Sequence, residues 1–251
     1  MKAKILAAVI LTLPLLAHAE QLTVSAAASL GDAFREIGRS FEAARTGVSV
    51  RFNFAASGVL VQQLSQGAPV DVLATADQDS MDRARPDIAA DSRRDFTANT
   101  LVLVAPTQDL TPPLASLADL RRPAVQRIAI GKPASVPAGR YARQALEAAK
   151  LWDTLAPKLV QADNVRQALD YVVRGEVQAA LVYRSDALGQ PPGKVRIVQT
   201  VEGHLPVRYP VALVTDDKRT ARQKALALDF IANLQTPAAQ QILARWGFAP
   251  L

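Results

Sequence analysis

Cysteine is absent from this 251-residue chain, and histidine occurs only at His18 and His204. Those two shortages remove disulfide frameworks, thiolate metal sites and the ligand sets of ordinary zinc hydrolases. Aromatic residues make up 5% of the sequence, and its Lys and Arg residues are scattered rather than clustered, which argues against a nucleic-acid interface. Beyond the first twenty or so positions no apolar run is long enough to span a bilayer. Without cross-links the chain relies on packing alone, and its length suits either one well-buried core or two lobes of about 100 residues each.

The N-terminus reads as an export signal. Lys2 and Lys4 supply the positive start, Ile5 to Leu16 is mostly apolar, and Ala17-His18-Ala19 offers small residues where a signal peptidase cuts. Cleavage after Ala19 makes Glu20 the first mature residue; removing 19 of 251 residues leaves 232. The formal charge of +6 then falls by two, to +4, with the loss of Lys2 and Lys4. A mild positive balance of this size attracts small anions only modestly at physiological salt.

Strand-like and helix-like segments alternate along the mature chain. Strands are predicted at Leu22–Ala26, Val48–Phe54, Val70–Ala74, Leu101–Ala105, Arg127–Ile130, Ala179–Tyr183, Val195–Val198 and Tyr209–Val214. Between them, helical spacing predicts helices carrying Leu30 to Phe41, Leu60 to Leu64, Gln78 to Ala84, Pro137 to about Lys150, and Val165 to Val172 behind an Asn164 N-cap. Two last helices cover roughly Lys218–Asn233 and Thr236–Trp246. Such alternation argues for parallel or mixed sheets covered by helices, with any ligand at the carboxyl ends of strands. Periodicity alone leaves one doubly wound sheet and two lobes both open.

Four strand-to-helix turns share one character: Ala26-Ala27-Ala28-Ser29-Leu30, Phe54-Ala55-Ala56-Ser57-Gly58, Ser135-Val136-Pro137-Ala138-Gly139 and Ala162-Asp163-Asn164-Val165. Each sets small residues or a hydroxyl at a helix N-terminus, where backbone N–H groups lack partners and the helix dipole is positive. Small side chains there let an anion approach the backbone. A serine at a helix start is most simply an N-cap, so the recurrence carries the weight, not any one turn. A hydrolase built on Ser29 or Ser57 would need His204, which sits in the polar stretch Glu202-Gly203-His204, and the Gly-x-Ser-x-Gly elbow is missing. Catalysis has no support in these residues.

At these turns the sequence resembles the molybdate-binding periplasmic component of ABC transporters, within the type II periplasmic binding proteins. Further marks of the resemblance are Gly67-Ala68-Pro69-Val70-Asp71, Ala76-Asp77-Gln78 with Met81-Asp82, Tyr141-Ala142 and Trp152-Asp153-Thr154-Leu155. They continue through Pro157-Lys158-Leu159, Val165-Arg166 with Ala168-Leu169, Val182-Tyr183 with Ser185-Asp186-Ala187, and Tyr209-Pro210-Val211-Ala212. The resemblance runs from Leu22 to the C-terminus. It implies an α/β fold of two lobes, each a mixed sheet flanked by helices, with the ligand in the interlobe cleft. By that pattern one lobe is residues 20–98 plus 213–251 and the other 99–212, with crossings near Leu101–Val104 and Pro210–Ala212.

Carried over motif by motif, the implied oxyanion contacts are Ser29, Ser57, Ala138, Val165 and Tyr183. The serines offer hydroxyl and main-chain donors, Ala138 and Val165 their main-chain N–H, and Tyr183 its phenol. The implied ligand is molybdate or tungstate, with molybdenum held as an oxyanion rather than a bare cation, and with no cofactor. The implied partner is the transmembrane permease of an ABC importer, the place the periplasm, the state a monomer. The rival expectations are the same architecture serving another small anion such as sulfate, and a secreted serine hydrolase.

Overall fold

The computed structural model describes residues 20–108 and 110–251; the export signal and its cleavage after Ala19 lie outside the described residues. In chain order the elements begin with β1 (Glu20–Ala27), α1 (Gly31–Ala43), β2 (Val48–Ala55), α2 (Ser57–Ser65), β3 (Val72–Ala74), α3 (Gln78–Arg83), β4 (Arg94–Asn99) and β5 (Leu101–Pro106). They continue with β6 (Ile128–Gly131), α4 (Pro137–Ala148), α5 (Trp152–Leu155), β7 (Leu159–Ala162), α6 (Val165–Val173), β8 (Ala179–Tyr183) and α7 (Arg184–Leu188). The last are β9 (Val195–Thr200), β10 (Val207–Leu213), α8 (Ala221–Asn233) and α9 (Pro237–Arg245).

The strands form two five-stranded mixed sheets, ordered β2-β1-β3-β10-β4 and β7-β6-β8-β5-β9. In the first, β1 runs parallel to β2 and β3 while β10 is antiparallel to β3 and β4. In the second, β6 is parallel to β7 and β8, and β5 is antiparallel to β8 and β9. Each sheet is flanked by helices, so the molecule has two lobes, and the choice left open by periodicity is resolved. No helix among the described residues is long and apolar enough to cross a membrane.

The chain leaves the first sheet after Asn99 and enters the second at Leu101, so Thr100 alone separates the two strands. It returns between Thr200 and Val207. The second crossing is therefore residues 201–206 and not Pro210–Ala212. Residues 207–212, expected in the second lobe, belong to the first sheet because β10 pairs with β3 on one side and β4 on the other. Pro210 is accommodated at a register shift between Tyr209 and Pro210, one of the few places where a sheet interior tolerates the missing N–H. Two strands, β4 and β7, and two short helices, α5 and α7, escaped the sequence reading.

The amphipathic spacing of α1 is realised: Ala33, Phe34, Ile37 and Phe41 are buried. Phe34, Phe52, Phe96 and Phe230 gather around one another with ring centres 5.7–6.4 Å apart, joining α1, β2, β4 and α8 into the first core. In the second lobe α4 lies so close to the end of β6 that a methyl group on Gly139 would overlap the Gly131 carbonyl oxygen. Gly139→Ala is accordingly expected to lower stability by about 2 kcal/mol or more through overpacking, read as a drop in the thermal unfolding midpoint.

Candidate functional site

Parallel strands deliver their carboxyl ends to the cleft between the sheets. The helices that follow begin there, as α1 does after the turn Ala28–Leu30 at the end of β1, and α2 directly after β2. From the other lobe come α4, after β6, and α6, after β7. Their N-terminal turns surround one small cavity lined by Ala27, Ala28, Ser29, Ala55, Ala56, Ser57, Ala76, Val136, Pro137, Ala138, Asn164, Val165 and Tyr183. All five residues implied by the resemblance are among them. The cavity holds about 200 Å³ of empty space. Larger hollows of about 760 and 730 Å³ lie elsewhere, behind the second crossing and beside Gly67–Val70, but neither gathers helix N-termini.

No charged side chain lines the cavity among the described residues. Its positive character comes instead from four helix N-termini, each with first-turn N–H groups that have no partner inside the helix. Neither serine acts as an N-cap. Ser29 lies within the turn before α1 and its Oγ is 2.9 Å from the Tyr209 hydroxyl, whereas Ser57 is the first residue of α2 and its Oγ accepts the Ala76 N–H at 3.0 Å. Because that N–H can only donate, the Ser57 proton is left for the cavity. Asn164 does cap α6, accepting from Gln167 N at 3.0 Å.

Tyr183, at the end of β8, is 1% exposed, and its hydroxyl has no hydrogen-bond partner among the described residues. Burial raises the Tyr183 pKa well above the usual phenol value, with nearby Tyr209 adding to the shift, so the group keeps its proton and can donate. Leaving such a donor unpaired in a dry site costs about 1–3 kcal/mol, which a ligand acceptor would recover.

Charged groups lie just outside this lining and are paired. Arg166 on α6 reaches across to Asp32 on α1 (2.8 Å) and the Ser29 carbonyl (3.4 Å), and its Nε lies 2.6 Å from Asp186 within its own lobe. Burial drives the Asp186 pKa up to about 6 against the pull of Arg166. Burial also works against the charge on Arg166, but Asp186 and Asp32 outweigh it and raise that pKa. On the other flank Arg140 of α4 donates to Asp77 (2.8 Å from Nε) and to Ser80 Oγ (2.8 Å), both from the first lobe. Sequence reasoning missed these two interlobe ion pairs and also Tyr209 and Asn99. The motifs Val165-Arg166 and Ala76-Asp77 contain one member of each pair, but a long-range ion pair has no sequence signature. His204 is not beside either serine in the hydrogen-bond network: its ring nitrogens meet the Val201 and Leu205 carbonyls.

The chain matches the family model described as bacterial extracellular solute-binding protein over residues 22–249. It belongs to that family. It is 38% identical to the molybdate-binding protein ModA of Escherichia coli (strain K12), an alignment covering 93% of this chain and 90% of the relative. Among solved structures it is similar to the substrate-binding domain of a putative molybdenum ABC transporter from Clostridium difficile, with TM-score 0.69, 32% identity, and 92% and 99% of the two chains covered. The sulfate-binding protein SubI of Mycobacterium tuberculosis H37Rv shares the fold, with TM-score 0.79 and 17% identity over 92% and 87% of the chains. Members of the family are solute-binding proteins of ABC transporters and not enzymes, so the hydrolase alternative falls away.

One of the contacts between the lobes joins backbone to backbone. Gly58 N donates to Ser135 O at 3.0 Å across the cleft, and a methyl group on Gly58 would lie 2.7 Å from that same oxygen. Gly58→Ala is expected to hold the lobes apart with the unfolding midpoint nearly unchanged; small-angle scattering should record a larger radius of gyration.

Proposed function

We propose that this protein captures molybdate, and tungstate as well, in the periplasm and hands it to the permease of an ABC importer, acting as a monomer. The ligand contacts in this reading are the hydroxyls of Ser29, Ser57 and Tyr183 and the main-chain N–H groups of Ala138 and Val165. The observation that carries it is the buried, unpartnered Tyr183 hydroxyl at a cavity where four helix N-termini converge without a charged side chain. Relatives named for molybdate or molybdenum at 38% and 32% identity supply the ligand class.

A dianion here is neutralised by dipoles alone. Each short, charge-assisted hydrogen bond contributes about 1.5–3 kcal/mol net. Several together support sub-micromolar binding, which requires about 8 kcal/mol or more after the costs of closure. The set contains no carboxylate to accept a ligand proton, so protonated phosphate is disfavoured. Sulfate has the right charge but a smaller tetrahedron. Donors fixed on both lobes cannot all reach it, and each one left unpaired in the dry cleft costs about 1–3 kcal/mol. Molybdate and tungstate are nearly the same size, and nothing in the site separates them.

Ser29 and Ser57 come from one lobe and Ala138, Val165 and Tyr183 from the other, so the anion bridges them and its binding energy favours the closed state. The permease then reads closure rather than the ligand. Sulfate capture is the second reading, favoured by the shared fold with the sulfate-binding protein. Titration calorimetry with molybdate, tungstate, sulfate and phosphate separates the two: tight binding of the first two alone is expected, and equal affinity for sulfate would overturn the size argument. In the same assay Ser57→Ala should weaken molybdate binding about tenfold or more while leaving the unfolding transition of the free protein in place.

A further inference from the structure

We propose that Tyr209 and Asn99 fix the direction of the Ser29 hydroxyl, making Ser29 a donor only and the site selective for an oxyanion that carries no proton. This rests on the oxyanion reading above and adds two positioning residues that act through Ser29.

The order of the protons follows from one backbone group. Thr100 N–H can only donate, and it donates to Asn99 Oδ1 at 2.9 Å. That contact orients the Asn99 amide, so its NH₂ faces the Tyr209 oxygen at 3.2 Å and Ser185 Oγ at 2.8 Å. An amide NH₂ donates, so the Tyr209 oxygen accepts. The remaining partner of Tyr209 among the described residues is Ser29 Oγ, 2.9 Å away, and the phenol proton goes there. Ser29 therefore accepts from Tyr209 and has its own proton left for the cavity. Ser29 is 1% exposed, Tyr209 0% and Asn99 8%, so solvent offers the chain no alternative partners. Burial, followed by the charge of Asp186, keeps the Tyr209 proton bound.

The relay starts where the chain passes between the sheets, at Asn99-Thr100, and Ser185 ties it to the second lobe. Its result matches that at Ser57, whose oxygen is occupied by the Ala76 N–H. Both serines present protons to the guest. A fully deprotonated anion accepts both, whereas a protonated one sets its own O–H against them.

The test is calorimetry with molybdate and with hydrogen arsenate, a tetrahedral dianion that carries a proton and is closer to molybdate in size than phosphate is. The proteins are the natural chain, Tyr209→Phe, Asn99→Asp, and each change in a Ser29→Ala background, all checked for folding by thermal unfolding. Tyr209→Phe keeps the ring packing and should weaken molybdate binding about tenfold. With Ser29→Ala already present the same change should have almost no further effect, because the two residues act as one unit. Asn99→Asp accepts the Tyr209 proton and reverses the chain, turning Ser29 into an acceptor. Molybdate binding should then fall about a hundredfold, with the preference over hydrogen arsenate narrowed; the Ser29→Ala background isolates the part due to the added charge. A Tyr209→Phe effect that persists undiminished in the Ser29→Ala background overturns the relay, as does an unchanged molybdate-to-arsenate ratio in Asn99→Asp. Should Tyr209→Phe fail to fold, the Asn99→Asp ratio decides alone. Failure of the natural chain to bind molybdate would instead remove the oxyanion reading and the relay together.

Discussion

Four helix N-termini, two from each lobe, converge on one buried space. The rest of the architecture serves that convergence. Helices start where parallel strands end, so the carboxyl edges of β1 and β2 and those of β6 and β7 must face each other across the cleft. Small residues at the turns are a consequence of the same constraint, because bulk at Ala28, Ala56 or Ala138 would keep a guest from the backbone.

The charged residues surrounding this space explain how it stays neutral. Arg166 and Arg140 are within reach of the cleft, yet each is spent on a carboxylate of the facing lobe, Asp32 and Asp77. The pairs hold the lobes together at both flanks and keep strong point charges out of the cavity itself. In the proposed oxyanion reading, with no charged side chain in the lining among the described residues, discrimination falls to geometry and to proton direction. Those depend on buried neighbours such as Ala76, whose N–H occupies Ser57 Oγ, and not on the contact residues alone.

Closure and recognition are coupled by distance. A backbone hydrogen bond from Gly58 to Ser135 requires the two helix starts to approach almost to contact, which only a residue without a side chain permits. The same approach brings Ser57 of one lobe and Ala138 of the other onto one small volume. In the proposed function, binding and closure are therefore one event.

Local pattern was enough to read the alternation of strands and helices, the Asn164 cap and the four turns, because period, caps and small-residue runs are properties of neighbouring positions. The five contact candidates came from the resemblance, and the fold gathers them around one cavity. What escaped was local structure with weak pattern and every relation between distant segments. β4 begins with Arg94-Asp95 and β7 is four residues long, so neither shows an apolar rhythm. β10 was recognisable as a strand, but its lobe was not, since a strand belongs to whichever sheet it hydrogen-bonds with, and that pairing spans more than a hundred residues. The Tyr209–Ser29 contact, 180 positions apart, and the Arg166–Asp32 pair, 134 apart, exist only once the sheets bring them together. Sequence alone offered the turns where an anion could be held; tertiary structure decided which of them share a cavity and which partners their hydroxyls meet, because those partners lie far apart in the chain and no local pattern encodes them.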